Sequence, residues 1–379
     1  MYQIEKWIIR KTLKMYVQDL IAQLTSNSII DAAYAWVCAA RINTSHNNSI
    51  WDLRFTWDAL KPQLIQALRN NEYHLSPLKR YQIDNQYYDS WEAQDALILK
   101  ALSLVLTKHL KQELPISCAH LKDHGGSKQT LTKTHHQLHQ YNFVYKSDIK
   151  SYYKSINHEI LIAKLKPYIS DAIIIRLIEE YCNRLIWANG EYEVITQGIS
   201  MGCPLSPLIG AWFLKDLDKA LESNPNTYYV RYMDDWLVLT KTRNHLRQAI
   251  KKINQILSAL KLSIHPDKTF IGWIKAGFDF LGYHLNPETI ELSKTTIKRC
   301  QAKISQLYEQ GASKQRLDQY WQNFVRWAKG GVARYMLRGI SLTSECRERT
   351  GYCKNKKLHN LRPGLVNAIT TQQSTCTGN

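Results

Sequence analysis

No stretch of the chain is apolar for long enough to cross a membrane, and the N-terminal run MYQIEKWIIRKTLKMY is broken by Glu5, Lys6 and Arg10. A membrane span and a secretory signal are therefore not expected, and the reading is a soluble, cytoplasmic protein without a membrane partner. None of the 8 cysteines pairs as C-x-x-C, which removes the common zinc and redox motifs and leaves scattered reduced thiols. Cys346 and Cys353 lack a second ligand pair. His135, His136 and His139 have no Cys, Asp or Glu among them and read as a polar helix face, not a metal shell. Acid is also in short supply: 32 Asp+Glu stand against 50 Lys+Arg, a net charge of +18. From Asn286 onward 16 Lys/Arg face only 6 Asp/Glu. An even excess would suit a merely solvated surface; this concentration favours a polyanionic partner, nucleic acid.

What is present is a chain of 379 residues, 44% of them hydrophobic, enough to bury a core shared by two or three subdomains. Residues 1–70 carry apolar positions near helical spacing, among them Ile8, Leu13, Val17 and Ile21, with a polar loop from Asn43 to Ser49. The runs Tyr81 to Asp84 and Gln86 to Tyr88 predict a short hairpin around Asn85. A helix follows through Ala96 to Leu110, then the flexible loop His124 to Lys128. Phe143 to Asp148 has strand character, roughly 158–187 reads as helical, and Ser206 is expected to cap a helix with Pro207 in its first turn. Tyr228 to Leu239 reads as two β-prone runs with Asp234 and Asp235 at the tip, followed by an amphipathic helix with Leu246, Ile250, Ile253 and Leu257 on one face. The order strand, helices, strand pair, helix, strand predicts an α+β fold with a split-βαβ, ferredoxin-like sheet.

Asp148 and the Asp234-Asp235 pair stand out because each ends a β-type run. Carboxylates crowded on a turn repel each other, and burial raises their pKa; a divalent cation removes that cost. Magnesium is a hard ion that suits carboxylate oxygens. Two such ions about 3.5–4 Å apart bind both an entering nucleotide and an attacking 3′-hydroxyl.

Here a resemblance becomes specific. Tyr232-Met233-Asp234-Asp235 looks like the Tyr-x-Asp-Asp box of reverse transcriptases. Ser147 to Tyr153, continued by Ile156-Asn157-His158, is similar to their first catalytic block in its group II intron form. Gly198 to Pro207 resembles their Gly-x-Pro-Gln-Gly-Ser-Pro-Leu-Ser-Pro block, and Leu262 to Thr269 and Phe278 to Tyr283 the two that close the palm. Gly125 to Lys128 is a weaker match in the fingers. The resemblance implies a right-hand polymerase: helical N-terminal extension 1–70, fingers 71–142, ferredoxin-like palm 143–285, helical basic thumb 286–340 and polar tail 341–379. It implies two magnesium ions (Mg2+, with Mn2+ as the alternative) on Asp148 and Asp234, supported by Asp235 and the Ile149 carbonyl. Tyr153 falls at the steric gate against a ribonucleotide 2′-hydroxyl. Gly202 lets backbone approach the nucleotide, Lys268 protonates the departing pyrophosphate, and Lys128 reaches the triphosphate.

Two departures matter. Met201 replaces the usual glutamine, so a soft apolar group takes the place of a polar one and bears on fidelity and nucleotide choice. The arginine expected after the Asn85 turn is missing, with Lys79 or Arg80 as its substitute. Neither an HNH-type Cys/His set nor an acidic cluster for RNase H or integrase is found, nor the Val-Thr-Gly signature of retrons, nor the Ser-Gln form of diversity-generating elements. What remains resembles stand-alone bacterial enzymes related to group II introns, many of them in antiphage defence. The implied partners are an RNA template or dedicated noncoding RNA, a DNA product and dNTPs, with room for a homo-oligomer or a protein partner. Template-independent or protein-primed synthesis by the same site, and a non-catalytic maturase-like RNA scaffold, are the rival readings. Arg316, Arg326, Lys329, Arg334 and Arg338, interleaved with Tyr320, Trp321 and Trp327, are expected to hold a nucleic-acid backbone.

Overall fold

The computed structural model describes residues 19–83 and 86–330, with backbone alone at Ile83 and Gln86. Among the described residues no helix is long and apolar enough to cross a membrane. Cys38, Cys118, Cys182 and Cys203 are free thiols. The expectations for Arg334 and Arg338, for Cys346 and Cys353, for Asn85 and for the two chain ends fall outside the described residues.

The strands are β1 (Leu78–Ile83), β2 (Gln86–Ser90), β3 (Phe143–Ser147), β4 (Leu185–Ala188), β5 (Glu191–Val194), β6 (Thr227–Tyr232), β7 (Asp235–Thr240), β8 (Phe270–Trp273), β9 (Phe278–Phe280), β10 (Tyr283–Leu285) and β11 (Ile290–Leu292). They form sheets in the orders β2-β1-β4-β5, β6-β7-β3-β8 and β11-β10-β9. In the second sheet the first strand in sequence, β3, lies between the third and the fourth. That is the split-βαβ order expected from the sequence, and the fold is α+β. The hairpin flanking residues 84–85 pairs with Tyr81 opposite Tyr88. The β4–β5 hairpin was not expected.

Two compact units divide the described chain: 19–124, 145–238 and 244–269 in the first, 125–144, 239–243 and 270–330 in the second. In the first unit the helix Ala93–Leu110 buries Leu97, Ile98, Leu99, Leu102, Val105 and Leu106, so it is apolar nearly all round and runs through the core. Each such side chain contributes about 1.5–3 kcal/mol by leaving water. Ser206 is the first residue of the helix Ser206–Phe213 and not its cap. Its hydroxyl bonds the Ser200 carbonyl and the Tyr181 hydroxyl instead, fastening the preceding loop.

In the second unit the helices Lys294–Glu309 and Lys314–Lys329 pack together. Ser293 and Ser313 cap them with side-chain oxygens. The helix Gly126–Gln137 buries His135 while His136 and His139 stay exposed, so the three histidines do not share the polar face read from the sequence. The apolar neighbours Leu131 and Leu138 carry that side of the turn inward.

Candidate active site

β3 delivers Asp148 at its C-terminal end, and a second segment locks it there. The Lys150 N–H donates to the Ser263 carbonyl at 2.9 Å, and the His265 N–H donates to the Asp148 carbonyl at 2.8 Å. Ile149 forms a bridge to Ile264 between these bonds. Asp148 is 4% exposed. One of its carboxylate oxygens, Oδ2, accepts from the Lys268 ammonium. The other, Oδ1, is buried with no hydrogen-bond partner, a costly arrangement for a charged oxygen unless a cation meets it.

Asp234 sits on the two-residue turn between β6 and β7. Met233 before it has φ +58°, a left-handed conformation that a non-glycine residue adopts only when held. The holding groups are visible. Arg231 donates from Nη1 to the Met233 carbonyl at 2.5 Å, and the Met233 N–H donates to His120 Nδ1 at 3.0 Å. Arg231 and Asp218 are both 0% exposed and form a bidentate ion pair. The Tyr229 hydroxyl adds a bond to Asp218 at 2.8 Å, and Arg231 Nη2 reaches Cys118 Sγ at 3.1 Å.

Burial first, then the Asp148 carboxyl beside it and least the Asp235 charge, push the Asp234 carboxyl up to about 7. Asp235 is raised as well, first by burial and then by Asp148, with Lys146 and Lys268 opposing. The Lys268 ammonium is held above its ordinary range by its bond to Asp148. The carboxylates thus crowd one another, and Lys268 offsets only part of the charge. Among the described residues no three His, Cys, Asp or Glu side chains close into a metal cage. An open set, with the unpartnered Asp148 oxygen and a crowded Asp234 carboxyl, fits magnesium, which is commonly held by one or two carboxylates plus waters and substrate phosphates.

Tyr153 belongs to the same unit. Burial first and then the Asp234 charge raise its hydroxyl to about 12. Its ring lies against helix residue Gly210, where a Cβ would come 3.1 Å from the ring. Its carbonyl accepts from the Ile199 N–H at 2.7 Å, which ties the gate candidate to the loop Gly198–Pro207. Gly198 is required there: φ is +84°, and a Cβ would sit 2.8 Å from the backbone of Tyr153 and Lys154. Further along the loop Met201 is 72% exposed, and Gly202 has φ +78° with open space where a Cβ would be. Lys79 and Arg80 are both engaged, Lys79 with Glu92 at 2.6 Å and Arg80 with Asp89 and Glu193 at 2.7 and 2.8 Å.

In the second unit Lys128 lies 4.3 and 4.2 Å from the ring centres of Tyr283 and Trp327, and burial lowers its ammonium to about 8. On the helix Lys314–Lys329, Arg316, Arg326, Trp327 and Lys329 are exposed and Tyr320 is half-buried, while Trp321 is 3% exposed. Trp321 packs on Phe324, so the aromatic face turns partly inward and leaves the bases outside. His120, Asp218 and Arg231 were not singled out by sequence reasoning. Arg231 reads there as one charge in a β run, and only the fold shows it buried.

The family model described as reverse transcriptase (RNA-dependent DNA polymerase) matches residues 94–285. Protein YkfC of Escherichia coli (strain K12) is 24% identical over 177 residues, 38% of this chain and 46% of that protein. The uncharacterized 91 kDa protein in cob intron of Schizosaccharomyces pombe is 22% identical over 273 residues, 55% of this chain and 34% of that one. The chain therefore spans less than half the length of these curated relatives. Among solved structures, a chain of a partial Cas6-RT-Cas1–Cas2 complex aligns at 21% identity and a TM-score of 0.40, covering 65% of this chain and 43% of that one.

Proposed function

The chain belongs to the reverse transcriptase (RNA-dependent DNA polymerase) family, and from that premise we propose that it copies RNA into DNA by two-magnesium nucleotidyl transfer at Asp148 and Asp234. The observation that carries this reading is the charge imbalance at the site. Asp148 keeps a buried oxygen that no donor meets, and burial and the Asp148 charge push the Asp234 carboxyl up to about 7. When bound, two magnesium ions would make the 3′-hydroxyl a better nucleophile and neutralise the departing pyrophosphate. Asp148 and Asp234, with Asp235 and the Ile149 carbonyl in support, are the groups that hold them. Lys268 is the general acid for the pyrophosphate in this reading, and must first leave Asp148 Oδ2. Met201 and Gly202 are the groups of this unit that meet the nucleotide. The direct test is extension of a DNA primer on an RNA template by the purified protein.

The proposed setting is the bacterial cytoplasm, with a dedicated noncoding RNA as template in antiphage defence and a second copy or a protein as further partner. Its support is the motif pattern, similar to group II intron enzymes and without the retron or diversity-generating forms. Sequencing the nucleic acid that copurifies with the protein from its native locus is the test. A single recurrent RNA with its complementary DNA is expected; random host RNA would refute the setting.

Tyr153 sets sugar choice in this account. Tyr153→Ala is expected to raise the rNTP-to-dNTP incorporation ratio by roughly tenfold or more, about 1.4 kcal/mol of lost discrimination. An unchanged ratio would remove Tyr153 from that role. The exposed bases Arg316, Arg326 and Lys329 are proposed to hold nucleic-acid phosphates. Replacing all three with Gln should weaken RNA binding and flatten the salt dependence by about 0.7–0.9 in log–log slope for each phosphate no longer neutralised. Equal affinity and parallel slopes would show a solvated surface only.

A further inference from the structure

The segment Ser117–His120 lies outside every sequence block named above, yet it is built into the site. The Arg231 N–H donates to the Ser117 carbonyl at 2.8 Å, and the Ala119 N–H donates to the Arg231 carbonyl at 2.8 Å. Cys118 is thereby bridged, in parallel, to Arg231 on β6. This register carries His120 to the turn that presents Asp234. Its Nδ1 accepts the Met233 N–H at 3.0 Å, and its Nε2 lies 3.2 Å from the Pro207 carbonyl. A backbone N–H can only donate and a carbonyl can only accept. Both bonds are made only by a neutral ring with its proton on Nε2. The edge of the ring meets Tyr232, the first residue of the turn motif, with centroids 6.0 Å apart.

We infer that His120 is a positioning residue that fixes the Asp234 turn relative to the first turn of the helix Ser206–Phe213. The inference rests on the reading of Asp234 as a metal-holding carboxylate. Met233 occupies left-handed space at φ +58° with its N–H directed at His120. Without that acceptor the N–H is left unpartnered, the peptide is free to rotate, and the neighbouring Asp234 carboxylate moves with it. Pro207 lies in the first turn of the helix Ser206–Phe213, and Tyr153 lies against Gly210 on that helix. The imidazole therefore joins the metal carboxylate's turn to the element that backs the sugar gate. A displacement of about 1 Å at reacting groups costs about a hundredfold in rate, so a residue that touches no substrate can still govern kcat.

His120→Phe keeps a ring of similar size against Tyr232 and removes both hydrogen bonds. His120→Asn restores an acceptor oxygen for Met233 without reaching Pro207. The measurements are kcat and KM for dTTP incorporation on poly(rA)/oligo(dT), Mn2+ binding by electron paramagnetic resonance on the same primer–template, and circular dichroism. For His120→Phe we expect kcat to fall roughly 30- to 100-fold, Mn2+ binding to weaken about tenfold, and KM for primer–template to stay within twofold. For His120→Asn we expect Mn2+ binding within about threefold of wild type. A folded Phe variant with wild-type kcat and Mn2+ affinity overturns the inference. So does a folded Asn variant whose Mn2+ binding is weakened about tenfold or more against wild type, an outcome read without the Phe protein. Asp234→Asn run alongside separates the two layers: if it retains activity and Mn2+ binding, the metal reading itself has failed, and this inference with it.

Discussion

Asp234→Asn and Asp148→Asn are each expected to cut nucleotide incorporation by a thousandfold or more, about 4 kcal/mol of barrier, while the fold survives. Asparagine keeps the shape and one acceptor oxygen but removes the charge that holds a cation. The stability side of the prediction runs the other way. In the metal-free protein the Asp234 carboxyl lies at about 7, above the value of about 3.9 for an unfolded chain. The folded state therefore binds the extra proton between those values. The group's favourable contribution is complete below about pH 3.9 and is lost as pH rises through about 7. Asp234→Asn should flatten that decline and melt at or above the wild-type temperature near neutral pH, measured by thermal unfolding in EDTA. Asp148→Asn removes the charge that pairs with Lys268, but that ammonium is 56% exposed, so the loss of stability should be small. Activity within tenfold of wild type in either variant would contradict the assignment.

The second large effect is expected behind the turn. Arg231→Met leaves Asp218 fully buried without its counter-charge, and should cost about 3–5 kcal/mol in urea unfolding. The guanidinium makes its bonds to Asp218, Cys118 and the main chain at Ala211 and Met233, so no water-exposed group replaces it. Combining Asp218→Leu, Tyr229→Phe and Arg231→Met removes the charges and the dependent hydroxyl together. That variant should be more stable than Arg231→Met alone. Additive losses would mean that the ion pair is not the unit of stability assumed here.

How far the sequence reached can be judged from particular residues. Asp148 and Asp234 were legible because each ends a β run inside a motif of defined spacing, and the order of strands and helices was enough for the split-βαβ arrangement. The hairpin of β4 and β5 was missed although Asn189-Gly190 lies between its strands, a strong turn signal just beyond the stretch read as helical, 158–187. Arg231, Asp218 and His120 carried no such mark. A charged residue on a strand looks solvated until the register of Ser117–Ala119 on β6 buries it. Trp321 and Trp327 show the same limit on one helix: the aromatic pattern was visible, but which ring packs inward is settled by tertiary packing.

The central claim is RNA-templated, metal-dependent DNA synthesis at Asp148 and Asp234. Incorporation of labelled dTTP by the purified protein on poly(rA)/oligo(dT), with and without poly(rA) and with Mg2+ or EDTA, tests it most directly. Product is expected only when poly(rA) and Mg2+ are both present, and none from Asp234→Asn. Equal synthesis in EDTA, or equal synthesis without the RNA strand, would contradict it.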